Sequence, residues 1–276
     1  MEIYQAITLG IIQGLTEFLP VSSSGHLVLG QLFFGITEPV LAFDISVHMG
    51  TLGAVFVIYW RDIMAMVTAM SAWAGRIIQR KSAAAAPDTN LKLAVLILAG
   101  SVPTAMMGMF LKQFEHILFT SSLLVGAMML VTGTILWTSR KFYRTKNNSS
   151  GLDMKRSLVI GASQGLAVIP GISRVGTTIA CGMFCGLDRH TAAKFSFLLS
   201  IPAIMGAQLV SVMGYREQGA GIDAAMIYGT LVAFVTGLVA LKVLIRMVHA
   251  GKFHLFAPYC WLVGALVVLS NIYGNL

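Results

Sequence analysis

Two long apolar stretches, each broken near its middle, constrain this chain more than any other feature. Residues 3–36 are apolar but interrupted at LPVSSSG, with Glu17 just before the interruption. Residues 157–187 are interrupted at IPGISRVG. Around them lie six unbroken apolar runs, at about 40–60, 91–111, 118–138, 192–213, 222–248 and 254–274. Each is near the ~20 residues that cross roughly 30 Å of hydrocarbon. Proline, glycine and serine at membrane depth leave backbone polar groups unpaired, which is tolerated only where protein or a water-filled cavity surrounds them. Both broken stretches are therefore expected to be re-entrant helix–loop–helix hairpins that enter and leave on one side.

Composition agrees with an all-α, polytopic membrane protein. The 276 residues are 57% hydrophobic and 11% charged, against roughly 25% charged for a soluble domain. The Met1-Glu2 start carries no basic region, so no cleaved signal peptide is expected. A net charge of +8 could suggest nucleic acid, but its placement argues for orientation instead. Sixteen of the 19 Lys and Arg fall on one side of this scheme: Arg61, Arg76, Arg80, Lys81, Lys92, Arg140, Lys141, Arg144, Lys146, Lys155, Arg156, Arg189, Lys194, Lys242, Arg246 and Lys252. Lys112 and Arg216 fall on the other, and Arg174 lies in the second break. By the positive-inside rule the rich side is cytoplasmic. Both termini then face outward, RKSAAAAPDTN and TKNNSSG are cytoplasmic loops, and no nucleic-acid partner is needed.

The two broken stretches also resemble each other. At a constant offset of 151, Gly10, Gln13, Gly14, Leu15, Ser22, Gly25 and Gly35 match Gly161, Gln164, Gly165, Leu166, Ser173, Gly176 and Gly186. Three spans separate them, and an odd number inverts the second copy. The expected architecture is two inverted repeats, residues 1–138 and 157–276, each a hairpin plus three spans, with the broken helices meeting near the midplane to form a site.

The residues at the breaks suit an anion. Glu17 and Arg174 each cost about 2.5–3.5 kcal/mol at the bilayer centre if left alone, so they are expected to face a polar cavity and interact. The Arg174 guanidinium is a planar fork matched to phosphate. Gly171 and Gly176 let backbone approach a ligand, and the helix after Arg174 offers free N–H groups. Ser22, Ser23, Ser24, Ser173, Thr177 and Thr178 add hydroxyls. His26 can move a proton near neutral pH, and Glu17 can activate a hydroxyl or a water. These are the parts for phosphoryl transfer. Asp44 and His48, four apart on the first span, read as a surface or packing pair, with a metal contact as the alternative. Cys181, Cys185 and Cys260, odd in number and set in apolar segments, read as packing residues, with neither a disulfide framework nor a zinc site.

On QGLTEFLPVSSSGH and PGISRVGTT the chain resembles the undecaprenyl-diphosphate phosphatase family, also called the bacitracin-resistance protein family. The first stretch fits that family's acidic-or-amide–x-x-x–Glu motif and the second its Pro-Gly-x-Ser-Arg motif. Gln13 stands where the family often has Glu, leaving the carboxylate role to Glu17. Val175 stands where the family usually has Ser. SSGH also resembles the PSGH motif of an unrelated lipid-phosphatase superfamily, but Ala180 occupies the position of that superfamily's required His. The resemblance implies hydrolysis of undecaprenyl diphosphate to the monophosphate and phosphate in the bacterial cytoplasmic (inner) membrane. It also implies a divalent cation, Mg2+ or Ca2+, carried largely by the diphosphate and Glu17. The expected roles are phosphate binding by Arg174, Ser173, Thr178, Ser22, Ser24 and Gly171, with Gln13 in support. Ser23 is the favoured nucleophile, and Glu17 and His26 share base and acid duties. Attack by His26, or by water activated by Glu17, stays open. Expected partners are the polyprenyl diphosphate and the bilayer, and a homo-oligomer is left open. The rival reading is a polyprenyl-phosphate transporter or flippase, since inverted repeats with broken helices are common in transporters.

Overall fold

The computed structural model describes residues 1–36, 41–79, 88–114, 118, 121–142, 151–215 and 223–274. Arg80, Lys81, Arg144, Lys146, Arg216 and most of the two predicted cytoplasmic loops lie outside the described residues. The described elements are α1 (Ile3–Phe18), α2 (Ser23–Phe33), α3 (Leu41–Ile58), α4 (Trp60–Ile78), α5 (Thr89–Lys112), α6 (Ser122–Ser139), α7 (Met154–Leu166), α8 (Arg174–Phe184), α9 (Arg189–Tyr215), α10 (Ala224–His249) and α11 (Ala257–Ile272), with short 3-10 turns after α6 and before α11. Among the described residues every regular element is helical. Five helices are long and apolar enough to cross a membrane, or six if α3 and α4 are taken together. The protein is an all-α, multi-pass membrane protein.

One element was absent from the sequence reading. Residues 61–78, expected as part of a cytoplasmic segment, form α4, which turns 79° away from α3 at Tyr59. The sequence predicted a span and then charge. The chain instead bends at Tyr59 and continues helical, with Asp62 in the first turn of α4, where an acidic side chain favours a helix start. Asp62 then accepts a 2.5 Å ion-pair contact from Lys194 of α9, docking the start of α4.

Both apolar stretches are broken where expected, and for the same local reasons. After α1, Leu19 is pushed to extended backbone (φ −63°, ψ 138°), as the residue before a proline is. Ser22 then adopts φ 71° and caps α2, its Oγ accepting the Gly25 N–H at 3.4 Å. After α7, Pro170 and Gly171 form the turn, Gly171 at φ +94°. Ser173 caps α8, its Oγ accepting the Gly176 N–H at 3.0 Å. The Ser-x-x-Gly shared by the two copies is thus a helix N-cap with its donor. In each case the second helix packs back on the first.

The repeated glycines are crossing points. A side chain at Gly10 would meet the Gly229 carbonyl of α10, and one at Gly161 would run into the Gly100 carbonyl of α5. Small residues let these backbones approach where lipid offers no hydrophobic drive for helix association. So α1 lies against α10 and α7 against α5, while α6 and α11 cross at Gly126 and Gly264.

Candidate active site

Glu17, one turn before the first break, is the hub. It is 7% exposed, and both its oxygens are engaged. Oε1 accepts from Arg174 Nη2 at 2.6 Å across the interface between the two breaks. Oε2 accepts from Ser23 Oγ at 2.6 Å and from Gln13 Nε2 at 3.0 Å. The proline at position 20 reverses the chain, so the first residue of α2 faces the last turn of α1. That folds Ser23 onto a carboxylate six residues earlier. Such charge-assisted contacts are roughly twice as strong as neutral ones, and a buried carboxylate needs them.

The second break is fastened to the first independently. The Gly171 N–H donates to Ser22 Oγ at 3.1 Å. Thr132 of α6 accepts the Ser173 N–H at 3.0 Å and donates to the Gly171 carbonyl at 2.9 Å. A side chain at Gly171 would collide with the Val125 carbonyl, so glycine is required there for both its φ and its contact. Ser22 also lies 3.4 Å from Ser24.

Among the described residues, the buried side-chain atoms without a hydrogen-bond partner are Gln13 Oε1, Gln164 Oε1, Arg174 Nη1 and Thr177 Oγ1. Three of these four sit at or beside the Glu17–Arg174 pair. Buried polar groups are almost always satisfied, so an unpaired guanidinium arm and an unpaired hydroxyl on one helix end mark a place prepared for a polar ligand.

Of the residues expected at the site, the structure joins Gln13, Glu17, Ser23 and Arg174 directly, with Ser22, Ser24, Gly171 and Ser173 around them. Two are placed differently. Thr178 is fully buried, its hydroxyl 2.8 Å from the Arg174 carbonyl and 2.5 Å from Ser196 of α9. It braces α8 from behind, because one residue along a helix turns a side chain by about 100°, and Thr177 holds the free hydroxyl instead. His26 turns toward α11. Its Nδ1 bonds the Ser22 carbonyl at 2.8 Å and its Nε2 the Tyr259 hydroxyl at 2.7 Å, and neither contact reaches Glu17 or Ser23.

Two residues were missed. His48, read as half of a surface pair with Asp44, has Nε2 3.8 Å from Glu17 Oε2. Its Nδ1 bonds the Asp44 carbonyl at 2.7 Å, while the Asp44 side chain accepts from Gln31 of α2 at 2.7 Å. The signal was present: ionisable residues inside a span face the bundle interior by default. Tyr259 gave no signal beyond being aromatic.

The donor set bears on the expected cation. Among the described residues no three His, Cys, Asp or Glu side chains group to hold a metal ion. Glu17, already shared by Arg174, Ser23 and Gln13, fits a cation as a single ligand and not as part of a cage.

Along nearly its whole length the chain is similar to known proteins. A family model described as bacitracin resistance protein BacA matches residues 6–266. The chain is 50% identical over 277 residues to an undecaprenyl-diphosphatase of Desulforapulum autotrophicum, covering 98% of this chain and 99% of that one. It is 55% identical over 273 residues to an undecaprenyl-diphosphatase of Desulfosudis oleivorans, covering 97% and 98%. It is 40% identical over 277 residues to one of Methanobrevibacter smithii, covering 99% of each.

Proposed function

The chain belongs to the bacitracin resistance protein BacA family, and we infer that it is an integral membrane phosphatase that hydrolyses undecaprenyl diphosphate to undecaprenyl phosphate and inorganic phosphate. In that role it returns the lipid carrier of cell-wall synthesis and removes the diphosphate form that bacitracin binds. Its relatives are named for this reaction, and the observation that carries the reading is the Ser23–Glu17–Arg174 chain with its free guanidinium arm.

The residues suggest the following course. The terminal phosphate docks on Arg174 Nη1 and the Thr177 hydroxyl. Ser23 Oγ attacks the terminal phosphorus, and its proton passes to Glu17 Oε2 along the existing 2.6 Å contact. The bond from that phosphorus to the bridging oxygen breaks, and undecaprenyl phosphate leaves with the electron pair. Water then attacks the phosphoserine, giving one proton to the Glu17 carboxyl system as Ser23 Oγ recovers its own. Activation of a nucleophilic hydroxyl by an adjacent base is the general requirement. Glu17 would be the protein ligand for a divalent cation, which would supply neutralisation of charge on the leaving phosphate.

The prenyl chain has a place to lie. A groove of about 490 Å³ runs along α1 and α2, walled by Ile11, Ile12, Leu15, Leu29, Phe33 and Phe34 among others. Carriage of a lipid across the bilayer needs no hydroxyl hydrogen-bonded to a carboxylate, so the transporter reading is not favoured. The same proposal includes two inverted repeats and a cytoplasmic-membrane location with both termini outside, supported by the Lys/Arg distribution.

The test is Ser23→Ala in purified protein. Phosphate release from undecaprenyl diphosphate should fall to background while inorganic phosphate still binds through Arg174. Substantial turnover in this variant would make water or His26 the nucleophile.

A further inference from the structure

We propose that Tyr259, beside His26, binds the phosphate that stays on the prenyl chain, while Arg174 and Ser23 take the phosphate that is released. This rests on the phosphatase reading and divides its substrate between two groups of residues.

The argument starts from the groove. Its wall includes four side chains with polar atoms that could meet a headgroup: Thr8, Thr16, His26 and Tyr259. The Thr8 and Thr16 hydroxyls donate to the Tyr4 and Ile12 carbonyls at 2.8 and 2.6 Å, a common arrangement for hydroxyls on membrane helices. The Tyr259 hydroxyl differs in being bonded to a side chain of another helix, His26 Nε2, and not to a carbonyl of its own. Their rings stack at 5.7 Å and 12°.

The partners of His26 fix its tautomer. Nδ1 faces a carbonyl at 2.8 Å, which only a donor can do, so Nδ1 carries the proton. Nε2 then has the lone pair, and the Tyr259 O–H donates to it at 2.7 Å. The Tyr259 hydroxyl can turn this proton onto a phosphate oxygen without moving its ring. Its helix is fixed against the first break, because the next residue, Cys260, donates its thiol to the Pro20 carbonyl at 3.4 Å. The link to the released-phosphate side is equally short. The Ser22 carbonyl holds His26, and the Ser22 hydroxyl holds the Gly171 N–H three residues before Arg174. One serine therefore joins the two phosphate positions, and the tail groove begins on the Tyr259 side.

Product inhibition separates the two positions. The probes are a prenyl monophosphate, which carries only the lipid-linked phosphate, and inorganic phosphate, which carries only the other. Tyr259→Phe keeps the ring and its stacking and removes one hydroxyl. A hydrogen bond to a charged group, at about 1.5–3 kcal/mol, corresponds to a tenfold or larger effect. The inhibition constant for the prenyl monophosphate should rise about tenfold or more, KM for the diphosphate should rise with it, and inhibition by inorganic phosphate should stay within about twofold. His26→Asn, which keeps a donor for the Ser22 carbonyl and removes the Nε2 acceptor that competes for the Tyr259 proton, should leave inhibition by the prenyl monophosphate unchanged or make it tighter. The double variant should match Tyr259→Phe alone, since without the hydroxyl there is no proton left for His26 to compete for. Equal loss for both probes in Tyr259→Phe, or no loss for either, overturns the assignment while leaving the phosphatase reading intact. Absence of phosphate release by the unmodified protein would overturn both.

Discussion

Arg174→Lys separates charge from geometry at the centre of the site. Arg174 uses Nη2 on Glu17 at 2.6 Å and leaves Nη1 buried and unbonded. A lysine ammonium is a point charge on a flexible stem, able to keep the ion pair but unable to offer a second arm in the same plane. The folded state should therefore tolerate the change. Removing the charge altogether, as Arg174→Ala does, would leave Glu17 buried without its cation, a loss of about 3–5 kcal/mol. For catalysis the missing arm costs one hydrogen bond to a charged phosphate, about 1.5–3 kcal/mol. At 1.4 kcal/mol per factor of ten, kcat/KM should drop roughly ten- to a hundredfold in Arg174→Lys, and further in Arg174→Ala. The assay is phosphate release from undecaprenyl diphosphate in detergent, with thermal unfolding measured on the same preparations. Turnover within about twofold of normal in Arg174→Lys would show that the unbonded arm is not the phosphate site.

Chelation should abolish turnover, and Mg2+ or Ca2+ should restore it, yet the unfolding temperature without substrate should not move, since the described residues form no cage; a large chelator-induced destabilisation would contradict this. Gly161→Ala should destabilise by about 1–3 kcal/mol, the range for overpacking, because the added carbon meets the Gly100 backbone and α5 and α7 must part. Gly75→Ala is the control: nothing lies within 4 Å of its added carbon, and unfolding should be unchanged or slightly later. Single cysteines at Gly151 and Gln113, in a chain without its native cysteines, should label from opposite faces of intact cells, with Gln113 accessible from outside; the reverse pattern would overturn the orientation.

The breaks were legible in the sequence because they violate a rule with few exceptions. Backbone groups freed by Pro20, Pro170 and Gly171 cannot face lipid, so they must line a polar interior, and Glu17 and Arg174 must be there with them. Helix α4 was not legible for the opposite reason. Arg61 and Asp62 signal the end of a crossing, and nothing in composition says whether the chain then loops or turns 79° and stays helical. Sequence gives the residues of a break but not their azimuth, so it does not show that the Thr178 hydroxyl faces Ser196 while that of Thr177 stays unbonded, or that the His26 ring points to α11. His48 was undervalued because an acid and a base four apart on a helix suggest each other as partners. In the folded chain both are claimed by other elements, Asp44 by Gln31 and His48 by the surroundings of Glu17.

The offset of 151 that aligns the breaks also explains why neither is a site alone. Ser23 and Arg174 occupy the same place in the two copies, the first residue of the helix after a serine cap. The first copy puts a hydroxyl there and the second a guanidinium. Gln13 and Gln164 likewise correspond, both buried, but their surroundings differ. Gln13 reaches a carboxylate four residues on, whereas the residue four after Gln164 is Val168, and Gln164 turns to Thr104 and the Leu199 carbonyl at 3.3 and 3.4 Å. A carboxylate in the second copy would bring a second negative charge toward a site that must admit a diphosphate. An arginine in place of Ser23 would remove the hydroxyl. Divergence at two equivalent positions thus puts a hydroxyl on one helix break and a guanidinium on the other, both joined to Glu17, with the second guanidinium arm left unbonded.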